Sequence, residues 1–171
     1  MKRIDHLRVN PGDTVDLRAI DPDFHAGLEK EQARAETAQD LQALEHLQRL
    51  LYAEDRRALL VVLQGIDTAG KDGVIRKVMT GFNPQGCVVT PFKKPAGEEV
   101  EHDFLWRVHH VCPRRGEIAV FNRSHYEDVI VGRVHGFLKT REIARRHRQI
   151  NDFRLEEHTS ELQLRFGISY A

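Results

Sequence analysis

No apolar run in the 171 residues approaches the length that crosses a bilayer, and the opening MKRIDHLRVNPGDTVD lacks the apolar centre of a signal peptide. A cytoplasmic protein that makes no membrane contact is expected. Cysteine is scarce: Cys87 and Cys112 fit neither C-x-x-C nor any metal-ligand spacing, so they are read as reduced structural thiols. An excess of either charge is also missing. The 26 Lys and Arg balance 26 Asp and Glu, which removes the bulk attraction that would recruit nucleic acid and confines any polyanion site to a local patch. Internal repeats and low-complexity linkers are absent.

What is present is enough for one domain, with 40% hydrophobic residues. Residues 1–27, rich in Asp, Pro and Gly, suggest an extended arm laid over the surface. From Leu28 to Arg57, Leu41, Leu44, Leu47, Leu50 and Leu51 recur at three and four residues, the spacing of an amphipathic helix. ALLVVLQ (58–64) is a short continuous apolar run, as expected of a central strand buried on both faces. KDGVIRKVMTG has helical spacing ending at Gly81, NPQG makes a turn, and CVVTPF (87–92) and GEIAVFN (116–122) are further strands. GEEVEHDFLWRVHHV (97–111) reads as a helix, as do SHYEDVIVGRVHGFL and TREIARRHRQINDF. Strands alternating with helices imply a parallel sheet covered on both faces.

Between the first strand and the following helix stands GIDTAGKDG (65–73). A glycine-rich turn there aims backbone N–H groups at one spot, and the helix dipole adds positive potential, so phosphate is the natural guest. Lys71 reaches the phosphates, and Gly65 and Gly70 permit close approach. The bland reading is a tight turn with a solvated lysine. A phosphate loop of the usual kind follows its lysine with a hydroxyl that touches magnesium, whereas Asp72 follows Lys71. Magnesium takes one or two carboxylates with phosphate oxygens and water, which makes Asp67 the metal candidate. Asp72 is either a second ligand or an acid placed favourably at the helix start. The third strand ends in Asn122 and Arg123, where phosphate-loop folds place a polar or acidic residue beside the glycine loop. Glu127 and Asp128 either supply the charge that Asn122 lacks or form a solvated helix start. Arg123 either neutralises a transferring phosphoryl group or pairs with Asp67.

Lys93 and Lys94 lie just past the second strand, on the side where parallel sheets present ligands. With Arg76, Lys77 and Arg133 they compose a possible polyanion track, although each alone is ordinarily a solvated charge. His109, His110, His125 and His135 match no zinc pattern and read as surface or capping residues. Trp106, Phe104 and Leu105 read as core.

Taken together, VVLQGIDTAGKDGVIRKVM, FNPQGCVVTPFKKP, HDFLWRVHHVCPRRGEIAVFNRSHYEDVIVGRVHGF and RQINDF resemble the family-2 polyphosphate kinases, from about Asp21 to Phe153. The resemblance is closest to the subgroup that phosphorylates nucleoside mono- and diphosphates. It implies an α/β, three-layer P-loop kinase fold with a parallel sheet, magnesium as cofactor, and phosphoryl transfer between inorganic polyphosphate and AMP or ADP. It makes Gly65 to Gly73, with Ala69, Gly70, Lys71, Asp72 and Gly73, the phosphate loop, Asp67 its metal-organising acid, and Asn122–Arg123 the end of the acid-bearing strand. Many relatives have Asp at position 122; the Asn form followed by Glu127 and Asp128 resembles the subgroup accepting AMP as well as ADP. Lys93, Lys94 and Arg133 match basic positions of the polyphosphate channel. Gly132 departs from the commoner V-V-R-V-H pattern and is expected to loosen its helix by roughly 1 kcal/mol. A homo-oligomer is expected of the full-length protein.

Family members continue after INDF with a strand and an arginine-bearing lid. Here residues 154–171, RLEEHTSELQLRFGISYA, resemble a translated sequencing adapter: GAA GAG CAC ACG TCT GAA CTC CAG encodes EEHTSELQ and ATC TCG TAT GCC encodes ISYA. The core at 28–153 is therefore expected to be partial and the lid missing. With it missing, the chain is expected to be nearly inactive, with an exposed sheet edge. Two rival functions remain compatible with the residues: an ATP-dependent P-loop nucleotide kinase, and a non-catalytic polyanion-binding module.

Overall fold

The deepest strand in the fold is β3 (Ile118–Asn122), with Ile118, Ala119, Val120 and Phe121 all buried. In a computed structural model of the chain, which describes residues 8–157 except Pro11 and Ala26, it lies between β1 (Leu59–Leu63) and β2 (Cys87–Pro91). Both neighbours run parallel to it in order β1-β3-β2, with Leu59 and Cys87 opposite Ile118, and Leu63 and Pro91 opposite Asn122. Helices follow in the order expected of crossover connections: α1 (Lys30–Glu54), α2 (Lys71–Met79), α3 (Trp106–His109), α4 (Tyr126–Val134) and α5 (Thr140–Glu157). The core gathers Phe92, Leu105, Val108, Ala119, Phe121, Val129, Ile150 and Phe153, with Leu60 and Val62 against it.

The α/β architecture with a parallel sheet agrees with expectation, and three segments differ in detail. Residues 58–64 were expected to be the central buried strand, but β1 is half-buried throughout and β3 occupies the centre. Burial follows from pairing on both sides, a property of topology that a local apolar run does not encode. The segment 97–111 does not form one helix. A single 3-10 turn covers Gly97–Val100, and α3 starts only at Trp106. Between them the Asp103 carboxylate accepts a hydrogen bond from the Leu105 N–H at 2.8 Å, a side-chain turn that competes with helix propagation. The apolar stripe of α1 is also largely uncovered among the described residues: Leu44, Leu47 and Leu50 are exposed, while Leu41 and Leu51 are half-buried.

What fixes α1 is polar. Gln48, the one buried residue of that helix, donates from Nε2 to the Asn83 carbonyl and accepts from the Asn83 N–H through Oε1, both at 2.8 Å. This pair ties α1 to the NPQG turn before β2. Tyr52, one turn on, borders Gly86 and Gly116, so the end of α1 rests on the entrances of β2 and β3, away from the glycine loop.

The described part of the expected arm is exposed throughout and held by short-range aspartate contacts: Asp13 accepts from the Asn10 N–H, Asp16 from that of Arg18, and Asp21 from that of Asp23. Of the expected non-native tail, residues 154–157 continue α5 and the rest lies outside the described residues. No described helix is long and apolar enough to cross a membrane. Cys87 and Cys112 are half-buried, Cys112 Sγ donating to the Val108 carbonyl at 3.4 Å, and burial raises the Cys87 thiol pKa.

Gly132 is a packing requirement rather than a loosened spot. A Cβ there would stand 2.4 Å from Leu138 Cδ1 and 2.6 Å from its Cγ, where the chain turns from α4 towards α5. Gly132→Ala gains about 1 kcal/mol of helix propensity but forces Leu138 to swing away, at about 1–3 kcal/mol. A net loss of about 1 kcal/mol is expected in urea unfolding, and adding Leu138→Ala to that variant should reverse the clash component. A Gly132→Ala variant more stable than the parent would refute the packing role.

Candidate active site

The register places the last residues of all three strands in one row, so the segments that follow them emerge at the same end of the sheet. After β1 comes Gln64 and the glycine loop; after β3, Asn122 to Asp128; after β2, Phe92 to Lys94. Two backbone bonds lock this row together. Arg123 N–H donates to the Leu63 carbonyl and Phe92 N–H to the Asn122 carbonyl, each at 2.9 Å.

The glycine loop curls tightly into α2. Gly65 is buried, and a Cβ on it would meet Ala69 Cβ at 3.3 Å; Gly70, the residue before the helix, sits at φ 82°, which glycine adopts without a steric penalty. Lys71 folds its side chain back over the loop, Nζ donating to the carbonyls of Gly65 at 2.8 Å and Ile66 at 2.6 Å. An ammonium is thereby stationed over the turn, beside the N-terminus of α2.

Across from the lysine, the end of β3 supplies two contacts to the loop. Arg123 pairs with Asp67, the outcome that the sequence left open, and Asn122 Nδ2 donates to Asp72 Oδ1 at 2.6 Å. Asp72 therefore joins α2 to the strand end in addition to any benefit from the helix dipole. Asp67 is four-fifths exposed, with a carboxylate oxygen available to solvent beyond the one that faces Arg123.

Glu127 and Asp128 are not a solvated helix start. Glu127 accepts from Gln64 Nε2 at 2.7 Å and lies 4.0 Å from Arg123, while Asp128 pairs with the buried Arg107 at 2.9 Å. Gln64 also accepts from the Ser124 hydroxyl at 3.0 Å, which in turn takes the Tyr126 N–H. Gln64, Ser124 and Arg107 are thus site-organising residues that sequence reasoning passed over. Gln64 did carry a signal, since it is the polar residue terminating an apolar strand directly before the glycine loop.

Lys93 and Lys94 are at this same end and exposed. Arg76 and Lys77 belong to the last turn of α2, and Arg133 to the last turn of α4, each exposed and removed from the loop by the length of its helix. None of these five side chains forms an ion pair among the described residues. Among the described residues no three of His, Cys, Asp and Glu converge as a metal cage.

The family model for Polyphosphate kinase 2 (PPK2) matches residues 27–166. The chain belongs to that family. It is 48% identical over 133 residues to an ADP-polyphosphate phosphotransferase of Rhodopseudomonas palustris, covering 75% of this chain and 45% of that protein. It is 45% identical over 148 residues to an AMP/ADP-polyphosphate phosphotransferase of Meiothermus ruber, covering 85% of this chain and 55% of the relative. The chain thus spans about half the length of the curated relatives it matches. The crystal structure of Polyphosphate Kinase 2 from Arthrobacter aurescens TC1 superposes with a TM-score of 0.84 at 39% identity, over 98% of this chain and 59% of that one. The P-loop kinase fold expected from the motifs is that of the family.

Within FNRSHYED (121–128), His125 departs from the expected surface role. It is buried beside Tyr126 and Phe153, and neither ring nitrogen has a hydrogen-bond partner. Burial, and secondarily the positive charge of Arg154, lower its pKa to about 4. The unfolded chain binds this proton near pH 6.5 and the folded one only near 4, so stability from this group is complete above 6.5 and lost as pH falls towards 4. The loss amounts to about 3 kcal/mol. Unfolding free energies measured across that window should fall less steeply for His125→Phe than for the parent; equal slopes would show that His125 is not the group responsible.

Proposed function

We propose that the protein transfers a terminal phosphoryl group between inorganic polyphosphate and AMP or ADP. The observation that carries this reading is the convergence of Lys71, Arg123 and the glycine loop on one end of a parallel sheet, beside the exposed carboxylate of Asp67. The printed names of the relatives, phosphotransferases acting on polyphosphate with ADP or AMP, agree with it.

In the direction of nucleotide synthesis, an oxygen of the nucleotide's terminal phosphate attacks the end phosphorus of polyphosphate. One P–O bond forms as the P–O bond to the shortened polyphosphate breaks, and no covalent enzyme intermediate is required. The protein's contribution is positioning and charge neutralisation. The glycine loop, with Gly65, Gly70 and Gly73, and Lys71 hold phosphate oxygens, with Ala69 shaping the loop through its N–H bond to the Ile66 carbonyl at 3.2 Å, and Arg123 exchanges its Asp67 partner for the group in transfer. Asn122 and Asp72 fix the strand end to the loop. Glu127 acts at the phosphate and nucleotide end through Gln64, while Asp128, expected at that end too, is paired with Arg107 and acts through it on the Lys93 loop. Lys93 and Lys94 lead the polyphosphate chain in, with Arg76, Lys77 and Arg133 as outlying cations of the track.

Magnesium suits this donor set. Two carboxylates, Asp67 and Asp72, flank Lys71, too few for a closed protein site and appropriate for an ion that keeps water and shares phosphate oxygens. Asp67 would hold it, and the ion would supply neutralisation of phosphate charge. A cytoplasmic setting fits the scarcity of cysteine, two in 171 residues. The full-length protein is proposed to be a homo-oligomer.

The test supplies a version extended to the relatives' full length with polyphosphate or ATP as donor and AMP or ADP as acceptor, alongside polyphosphate titrations of the chain itself. Polyphosphate should outcompete ATP, Lys71→Met should weaken polyphosphate binding at least tenfold, and Asp67→Asn should abolish transfer while sparing binding in the absence of magnesium. Preference for ATP as donor would move the function to an ordinary nucleotide kinase. Binding without transfer under any condition would leave a polyanion-binding module.

A further inference from the structure

Arg107 is the least expected charge in the fold. It stands on the four-residue α3 and is only 7% exposed, in a setting where an unpaired cation costs several kcal/mol. Its guanidinium gathers three separate segments. Nη2 donates to Asp128 Oδ2 at 2.9 Å on the first turn of α4, and Nη1 donates to the Lys93 carbonyl at 2.7 Å and lies 3.4 Å from Glu99 Oε2. The group also sits 5.2 Å from the centroid of the Phe92 ring, which packs edge-on against Phe121 of β3.

We infer that Arg107 is a positioning residue for the polyphosphate donor, fixing the backbone that carries Lys93 and Lys94 relative to the end of β3. This rests on the donor-track reading above. The segment after β2 is tethered at successive points: Phe92 N–H to the Asn122 carbonyl, the Lys93 carbonyl to Arg107, and Ala96 N–H to Glu99 Oε2 at 3.2 Å. Lys93 is therefore exposed through its side chain while its carbonyl is held from below. Two free lysines on a loose loop would lose backbone entropy on binding a chain of phosphates; tethering removes that loss before the ligand arrives. Lysine is a poor substitute at position 107, because a single ammonium does not reproduce the planar fork that reaches Asp128 and the Lys93 carbonyl together.

The experiment is a double-mutant cycle read by titration with inorganic polyphosphate of defined length at fixed salt, with ADP titrated in parallel. Arg107→Met should weaken polyphosphate binding about tenfold and leave ADP affinity within twofold. Arg107→Lys should restore only part of it. In a Lys93→Ala/Lys94→Ala background, Arg107→Met should add less than twofold, because a residue acting through the lysines has nothing left to position. A general structural defect would instead weaken both ligands, or weaken polyphosphate equally in both backgrounds, and either result overturns the inference. Should Arg107→Met not fold, Glu99→Gln removes a half-exposed tether of the same loop. It is expected to weaken polyphosphate binding two- to threefold in the parent and not in the lysine-free background, and an equal effect in both would again refute the role. If Lys93→Ala/Lys94→Ala itself binds polyphosphate like the parent, the donor-track reading fails, and this inference with it; weakened binding there with no effect of Arg107→Met sinks the inference alone.

Discussion

Every feature of the site depends on β3 being hydrogen-bonded on both sides to parallel strands in one register. Because all three strands run the same way, Leu63, Asn122 and Pro91 fall in a row, and the chain can leave each of them only at one end. The glycine loop, the Asn122–Arg123 pair and the Lys93–Lys94 pair are neighbours for that reason alone, although Asp72 of the first and Asn122 of the second lie 50 positions apart. A slip of one residue would exchange Ala119 and Phe121, which belong to the main core cluster, with Ile118 and Val120 and carry Arg123 to the wrong face, since side chains alternate with a period of two. The packing of Phe121 against Phe92 opposes the slip.

With the register fixed, the site balances its own charges. Lys71 is held by two carbonyls, Arg123 by Asp67, Asp72 by Asn122, and Glu127 by Gln64. Two non-glycine residues beside this balance occupy the left-handed region, Thr68 at φ 74° and Arg123 at φ 63°. Such conformations cost about 1–3 kcal/mol each and persist where surrounding contacts over-determine them. Here they bring Asp67 and Arg123 face to face, one from the loop and one from the strand end. A phosphate entering the loop competes for cations already stationed there, so reorganisation on binding is small.

How legible this was in the sequence depended on the range of the information required. The three strands lie within the residues expected from short apolar runs bounded by glycine, proline and charge, and the glycine loop announced its chemistry by composition. Pairing partners were a different matter. The sequence allowed Arg123 either a ligand or Asp67, and allowed Glu127 and Asp128 to be solvated; which holds is decided by the spatial row, not by spacing. Arg107 carried no signal, because one arginine among FLWRVHHV reads as an exposed helical position until α3 proves to be a single turn folded inward. Likewise Gly132 looked like a weakened helix because its cost is local and visible, whereas Leu138, which needs the missing Cβ, is brought there only by the turn into α5.

These pieces meet in the first turn of α4. Successive residues of a helix point about 100° apart, so adjacent acids cannot serve the same neighbour. Glu127 consequently reaches back to Gln64 at the end of β1, while Asp128 reaches sideways to Arg107 and, through it, the Lys93 carbonyl beyond β2. His125, just ahead of them, is buried against Phe153 of α5 and holds the helix start in the core. The two outer strands make no ladder with each other, since β3 lies between them. Two consecutive carboxylates on the helix that follows β3 therefore join what the sheet leaves apart: the phosphate loop on one side and the lysine-bearing loop on the other.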